Sequence, residues 1–553
     1  MVSRPGKVAL FEQLRADGIT HMFGNPGTVE QGFLDVVDEY DDIRYILTLQ
    51  ETVAAGIADG YARATQRPTL LQLHSGVGLG NGIGMLYQAH RGHAPLICVA
   101  GESGVRYEAM DAQMAADLVA MARPVTKYAT RVTHPTSLLR VLRRAVKLAM
   151  TPPRGPVFVA LPMDVLDADT DEPALPTVIP DTRAVAAPDL VEAAARLLAG
   201  AARPIVLLGD GVAASGGAAE ATAVAERLGA QVWLVDSSEP NMPAGHPLVR
   251  GQLGHMFGQV SSAAVAGADA VLVVGSYLFP EVFPTLTDPF AAGARVVHID
   301  LDSYEIAKNH PVDLGIVADP TLTLAALAAE LDRVMTAPEQ AAARARLADR
   351  VAAAPAAAPA DDASVLAGLL REIVRVVPED VMVFDEALTA SPLVSRYLPP
   401  RLPGHSFLTR GGSLGVGIPG AIGMKLAHPE RTVLGFTGDG GSMYTFQALW
   451  TAARYGVGAK FVVCNNHRYE LLNENIAQYW TERDIPRHPY PTSFDIGHPE
   501  IDFVGLAGSL GVPGTRVDKP GQAADAVAEM VAHDGPFLID VTTDDLIRPQ
   551  SAG

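Results

Sequence analysis

Short, unbroken apolar runs recur along this chain, and they constrain its fold more than any other feature. RYILTLQ, PLICVAG, PVFVALP, PIVLLGD, AVLVVGS, RVVHIDL, VMVFDE, TVLGFTGD and KFVVCNN lack the polar alternation of a strand with one wet face. Each therefore reads as a strand buried on both sides, and the stretches between them have the length and pattern of helices. Such alternation builds parallel sheets covered by helices. At 553 residues the chain is too long for one core and calls for roughly three domains.

Two stretches punctuate the series. Residues 169–188 are rich in Pro, Asp and Thr and show no sustained periodicity. Residues 337–362 are dominated by Ala, Arg and Pro; their first half can form a helix, whereas the prolines of APAAAPADD forbid one in the second. The predicted fold is α/β, with three doubly wound parallel-sheet domains at 1–168, 185–335 and 363–548. An internal echo links the first and third: LGNGIGMLYQA before PLICVAGES, and LGVGIPGAIGMKLA before TVLGFTGDG.

Composition narrows the function classes. A formal net charge of −20 repels nucleic acid and anionic lipid, so neither is an expected partner. No apolar stretch is long enough to span a bilayer, and MVSRPGKVALFEQL has no signal-peptide core, so a cytoplasmic location is expected. Cys98 and Cys464 lie inside strand-like runs and read as core residues rather than a disulfide or metal pair.

The sharpest local signal lies in the third domain. Strand TVLGFT runs into Gly438-Asp439-Gly440-Gly441-Ser442, a helix is expected over YTFQALWTAARYG, and strand AKFVVC ends at Asn465-Asn466. A right-handed crossover returns the chain to a neighbouring strand, so Asp439 and Asn466 should converge at the carboxyl edge, where α/β sheets bind ligands. A carboxylate, an amide oxygen and the backbone carbonyl of Arg468 are hard donors suited to Mg²⁺ shared with phosphate oxygens. The glycines allow close approach of backbone N–H groups to a diphosphate.

GDG, a helix's worth of residues, then NN resembles the cofactor motif of thiamine-diphosphate enzymes, in particular their benzoylformate decarboxylase and acetolactate synthase group. The resemblance implies pyrimidine-binding, middle and diphosphate-binding domains in that order. It implies a Mg²⁺ site at Asp439, Asn466 and Arg468, with Gly438, Gly440, Gly441, Ser442 and Tyr469 beside the cofactor. It also implies that Glu51, in TLQETVAAGIADGYA, is the acid that activates the aminopyrimidine ring of a cofactor held by a second subunit. At least a homodimer is then required, and the family is usually tetrameric. Thr28, in GNPGTVE, stands where the family contacts the substrate carboxylate, and His74, in LHSGVGLGN, where it has an active-site His. Gly412 and Leu414 match the loop that bends the cofactor, and Glu386 and Thr389 match its diphosphate end. Glu30 matches a loop acid of the family and also reads as a solvated or helix-capping residue; His90 and His93 read as structural.

The expected reaction is decarboxylation of a small 2-keto acid to an aldehyde, with carboligation, an acetolactate-synthase-type reaction or a 2-hydroxyacyl lyase as alternatives. The second active-site His of benzoylformate decarboxylase has no counterpart, since Val282, beside Glu281, falls there. Acetolactate synthase's Phe-Gln-Glu is replaced by Gln113-Met114-Ala115, while Leu471 and Leu472 suggest an apolar substrate wall. A nucleotide-dependent dehydrogenase is disfavoured for want of a strand-placed G-x-G-x-x-G. FAD as an additional cofactor of the middle domain is left open and not favoured. A cofactor-binding relative without turnover has no need of Glu51.

Overall fold

The computed structural model describes residues 3–254, 256, 258–353 and 363–543. The break expected over APAAAPADD, residues 354–362, lies outside these residues. The helical first half of that stretch is seen, at Ala337–Ala352.

Burial on both faces makes the apolar runs into parallel strands. In the N-terminal domain β1 (His21–Gly24), β2 (Arg44–Leu47), β3 (Thr69–Leu73), β4 (Leu96–Glu102), β5 (Tyr128–Arg131) and β6 (Val157–Pro162) pair in the order β2-β1-β3-β4-β6-β5. In the middle domain β7 (Pro204–Leu208), β8 (Gln231–Val235), β9 (Val249–Leu253), β10 (Ala270–Val274), β11 (Arg295–Asp300) and β12 (Leu314–Val317) run β9-β8-β7-β10-β11-β12. In the C-terminal domain β13 (Met382–Glu386), β14 (Ser406–Leu408), β15 (Val433–Gly438), β16 (Lys460–Asn465), β17 (Gly514–Val517) and β18 (Phe537–Thr542) run β14-β13-β15-β16-β18-β17. All three sheets are parallel. The first and third share one strand order, while the middle sheet has the 3-2-1-4-5-6 order of dinucleotide-binding folds.

That shared order agrees with two related domains and corrects only which helices of the internal echo correspond. Helix α1 (Glu51–Thr65) joins β2 to β3, and α2 (Ser75–Arg91) joins β3 to β4. Helix α3 (Gly417–Ala427) joins β14 to β15, so its topological counterpart is α1, not the α2 sequence that it resembles. Gly-rich composition misled because α1 and α3 carry small residues for another reason. They pack on each other backbone to backbone: a Cβ at Gly60 would collide with the carbonyl of Gly420, and one at Gly423 with that of Ile57. A continuous core then runs from Phe23 and Leu71 through Ala54 and Ile57 to Ile418, Phe384 and Phe461. The N-terminal domain and most of the C-terminal domain accordingly form one compact unit, and the middle domain forms a second. Helix Ala337–Ala352 belongs to the middle core through buried Ala343.

The crossover expected as one helix is two. Helix α4 (Asp439–Ser442) is followed by turns, and α5 (Ala448–Tyr455) begins later than Tyr444. Thr445 donates its hydroxyl to the Gly415 carbonyl at 2.6 Å, a tertiary bond that holds the chain out of helix there. Both cysteines are free and buried, and burial pushes both thiols up. No described helix is long and apolar enough to cross a membrane.

Candidate active site

The carboxyl ends of β1, β2 and β3 bring Glu51, His74 and Glu30 together. Glu51 opens α1, capped by Gln50, whose side chain accepts the N–H groups of Thr52 and Val53. Its carboxylate is 5% exposed and accepts from Asn25 Nδ2 at 3.2 Å and Asn81 Nδ2 at 3.0 Å. Gly78, on the first turn of α2, makes room for it: a Cβ there would lie 2.8 Å from Glu51 Oε1 and 3.0 Å from the His74 Cβ. The glycines of SGVGLGNG thus place Glu51 and His74 on either side of one helix turn.

His74 directly follows β3 and is fixed by an acid from the loop after β1. Its Nδ1 lies 2.7 Å from Glu30 Oε2, and Glu30 Oε1 accepts the Gly101 N–H at 3.0 Å. Glu30 is fully buried, which removes the solvated reading; it also stands before helix Gln31–Val37 without a side-chain capping bond, which removes the capping one. Burial raises its carboxyl, against the opposing pull of His74 and the Gly101 and Gly27 amides. Gly27 is the residue that leaves space for the imidazole. Thr28 is exposed on the same loop. His93 is exposed, with Nδ1 at 3.2 Å from the Arg154 carbonyl, away from these groups.

In the C-terminal domain β15 and β16 are paired with Gly438 opposite Cys464, so Asp439 and Asn466 leave adjacent strand ends. Asp439 Oδ2 accepts the Asn466 N–H at 3.2 Å and Oδ1 the Gly440 N–H at 2.8 Å. Asn466 Oδ1 accepts the Arg468 N–H at 3.1 Å, while the Arg468 side chain turns back to the Asn466 carbonyl at 3.2 Å. Burial holds Asp439 above the ordinary carboxylate range despite its amide donors. These converging oxygens fit Mg²⁺ in chemistry. Nothing lies within 4 Å of a Cβ built on Gly438, so the strand end is open to a diphosphate, and the Tyr469 ring packs on Gly440. The Ser442 hydroxyl is engaged by the Asp439 carbonyl at 2.7 Å.

Glu386, at the end of β13, accepts the N–H groups of Gly415 and Gly417, both at 2.5 Å. It is fully enclosed, and burial raises its carboxyl to about 7. Its oxygens therefore hold the turn that carries Gly412 and half-buried Leu414. Gly412 has φ +71° and open space around it. Thr389 lies half-buried in a short 3-10 turn, Leu388–Ala390, next along the chain. Glu470, at the start of α6 (Glu470–Glu482), accepts from Asn473 Nδ2 at 3.0 Å, and Leu472 is exposed.

The middle sheet has a dinucleotide-type order, with its switch point between β7 and β10. At the ends of β7 and β10, Gly209 and Gly211 pack against Gly275 and Ser276, where a Cβ would collide. Asp210 beside them accepts from Ser237 Oγ, Ser238 N, Glu239 N and Asn241 Nδ2 at 2.8–3.1 Å. In the same domain Val282 is exposed and Glu281 is buried. His298 is buried on β11 with Nε2 at 2.9 Å from the Ser276 carbonyl.

Sequence reasoning missed Asn25 as a partner of Glu51 and left Glu30 undecided. Gly27 of GNPGTVE, where a Cβ would overlap the His74 ring, is the sequence feature that goes with this pairing.

Residues 5–121 match the thiamine pyrophosphate enzyme N-terminal TPP binding domain, 191–327 the central domain and 389–541 the C-terminal TPP binding domain. The chain is 32% identical to a benzoylformate decarboxylase of Pseudomonas aeruginosa, over 97% of this chain and 98% of that protein. It is 29% identical to a probable acetolactate synthase large subunit of Methanocaldococcus jannaschii, over 98% of this chain and 92% of that one. Among solved structures, the thiamine diphosphate-dependent 4-hydroxybenzoylformate decarboxylase of Rhodococcus jostii RHA1 superposes with a TM-score of 0.85 at 29% identity, covering 98% of this chain and 99% of that one. Three matched domains in the order of the fold, and a relative similar over nearly its whole length, make this chain a member of the thiamine pyrophosphate enzyme family.

Proposed function

We propose that the protein is a thiamine-diphosphate- and Mg²⁺-dependent lyase that decarboxylates a small 2-keto acid to an aldehyde. The observation that carries this reading is the Glu30–His74 pair held beside Glu51. Thiamine diphosphate, when bound, supplies a nucleophilic carbon and an electron sink. Asp439, Asn466 Oδ1 and the Arg468 carbonyl would hold Mg²⁺, with Gly438, Gly440, Gly441, Ser442, Tyr469 and Thr389 around the diphosphate. Glu386 would act through the turn bearing Gly412 and Leu414.

Glu51, desolvated and oriented by two amides, would exchange a proton with the aminopyrimidine ring nitrogen. His74 is tethered through Nδ1, which leaves Nε2 to move a proton at the substrate. Thr28 would donate its hydroxyl to the substrate carboxylate. The apolar, exposed Val282 favours a second reading, carboligation: with one proton donor fewer, capture of the product carbon by a second carbonyl competes with protonation. Relatives named acetolactate synthase support the same alternative.

A screen of aromatic, branched and short 2-keto acids, with and without an acceptor aldehyde, tests both readings through CO₂ release and product analysis. Glu51→Gln should lower turnover by about 10²–10⁴-fold with the fold intact. In the proposed dimer Glu51 of one protomer serves the metal site of its partner. Mixing Glu51→Gln with Asp439→Ala should then restore about a quarter of wild-type activity, because half of the randomly paired dimers regain one good site. No recovery would place both residues in one protomer's site.

A further inference from the structure

We propose that Asp540 is a positioning residue for the metal-binding loop, acting through Asn465 to hold Asn466 and Arg468 beside Asp439; this rests on the Mg²⁺ site proposed above.

Asp540 lies on β18, one strand away from the motif, and both it and Asn465 are 1% exposed. Asn465 Nδ2 donates to Asp540 Oδ1 at 3.1 Å, and Asn465 Oδ1 accepts the His467 N–H at 3.2 Å. The first Asn of the pair therefore spans from a buried carboxylate to the backbone between the two proposed ligands. His467 needs such a hold, since its φ of +60° is a left-handed conformation that a non-glycine side chain resists.

The same carboxylate is tied to the far side of that turn. Asp540 Oδ2 lies 3.8 Å from Arg516 Nε, and Arg516 Nη1 pairs with Glu500 Oε1 at 2.5 Å. Glu500 Oε1 in turn lies 3.6 Å from His467 Nε2. Asp518 steadies Arg516 at 2.8 Å and receives the Thr542 hydroxyl at 2.8 Å. Asn465, Asp540, Arg516, Glu500 and His467 thus form a closed chain of polar contacts that meets the turn at His467, between Asn466 and Arg468. Groups that orient ligands in this way typically change metal affinity by about 10–100-fold when removed.

The test is Mg²⁺ titration of cofactor-free protein at fixed thiamine diphosphate, read by intrinsic fluorescence, with the apo-protein's thermal unfolding measured alongside. Asp540→Leu should raise the Mg²⁺ concentration for half-saturation by about 10–100-fold, and excess Mg²⁺ should restore turnover. Asp540→Asn keeps an acceptor for Asn465 and should stay within about threefold of wild type. If Asp540→Leu does not fold, Asn465→Ala carries the same expectation. Wild-type Mg²⁺ affinity in a folded Asp540→Leu or Asn465→Ala protein overturns the proposal, as does a loss that excess Mg²⁺ does not restore. Asp439→Ala is the separate control: if its Mg²⁺ dependence equals wild type, the metal site itself has been misplaced.

Discussion

Glu30 Oε2 lies 2.7 Å from His74 Nδ1, in a pocket where the acid has no access to water. A buried carboxylate on one imidazole nitrogen fixes which nitrogen is left for another partner, so the pair acts as a unit. Glu30→Gln retains the shape and loses the charge. Its kcat/KM should fall by roughly 10–100-fold with little change in circular dichroism, and wild-type kinetics would show that the pairing is incidental.

Gly27 offers an independent probe of the same ring. A Cβ at that position would overlap the His74 imidazole, so Gly27→Ala must displace either the ring or the loop. Activity should drop toward that of His74→Ala, while stability falls by only about 1–3 kcal/mol. Steady-state kinetics and thermal unfolding measured together check both halves.

The packing of α1 on α3 should be intolerant of one methyl group. At Gly60 the obstacle is the backbone carbonyl of Gly420, which no rotamer change can move. Gly60→Ala should cost about 3 kcal/mol in denaturant unfolding. A stability within error of wild type would mean that the two helices do not meet as described.

Asp385 should give the fold a pH dependence. It is fully buried, Oδ2 has no hydrogen-bond partner among the described residues, and burial raises its carboxyl to about 6. A folded-state value above the unfolded one means that the native state holds this proton more tightly. The contribution is whole below about pH 4 and is lost as pH rises through about 6. For a shift of about two units it amounts to roughly 2–3 kcal/mol. Asp385→Asn should flatten that part of the stability profile, as denaturant titrations from about pH 4 to 7 would show.

The sequence by itself determined the sheet class, the cofactor family and the convergence of Asp439 with Asn466. Each rests on local chemistry: doubly buried runs of Val, Ile and Leu, and a carboxylate and an amide at the ends of adjacent strands. Only the tertiary structure decided what Glu30 does, because a loop acid reads alike whether water or an imidazole faces it. It alone paired α1 with α3, since glycines that admit a neighbouring backbone look in sequence like any other glycine-rich helix. Asp540 was invisible for a similar reason: a lone acid in a strand gains its partners from strand order, which brings residues 465 and 540 within one hydrogen bond.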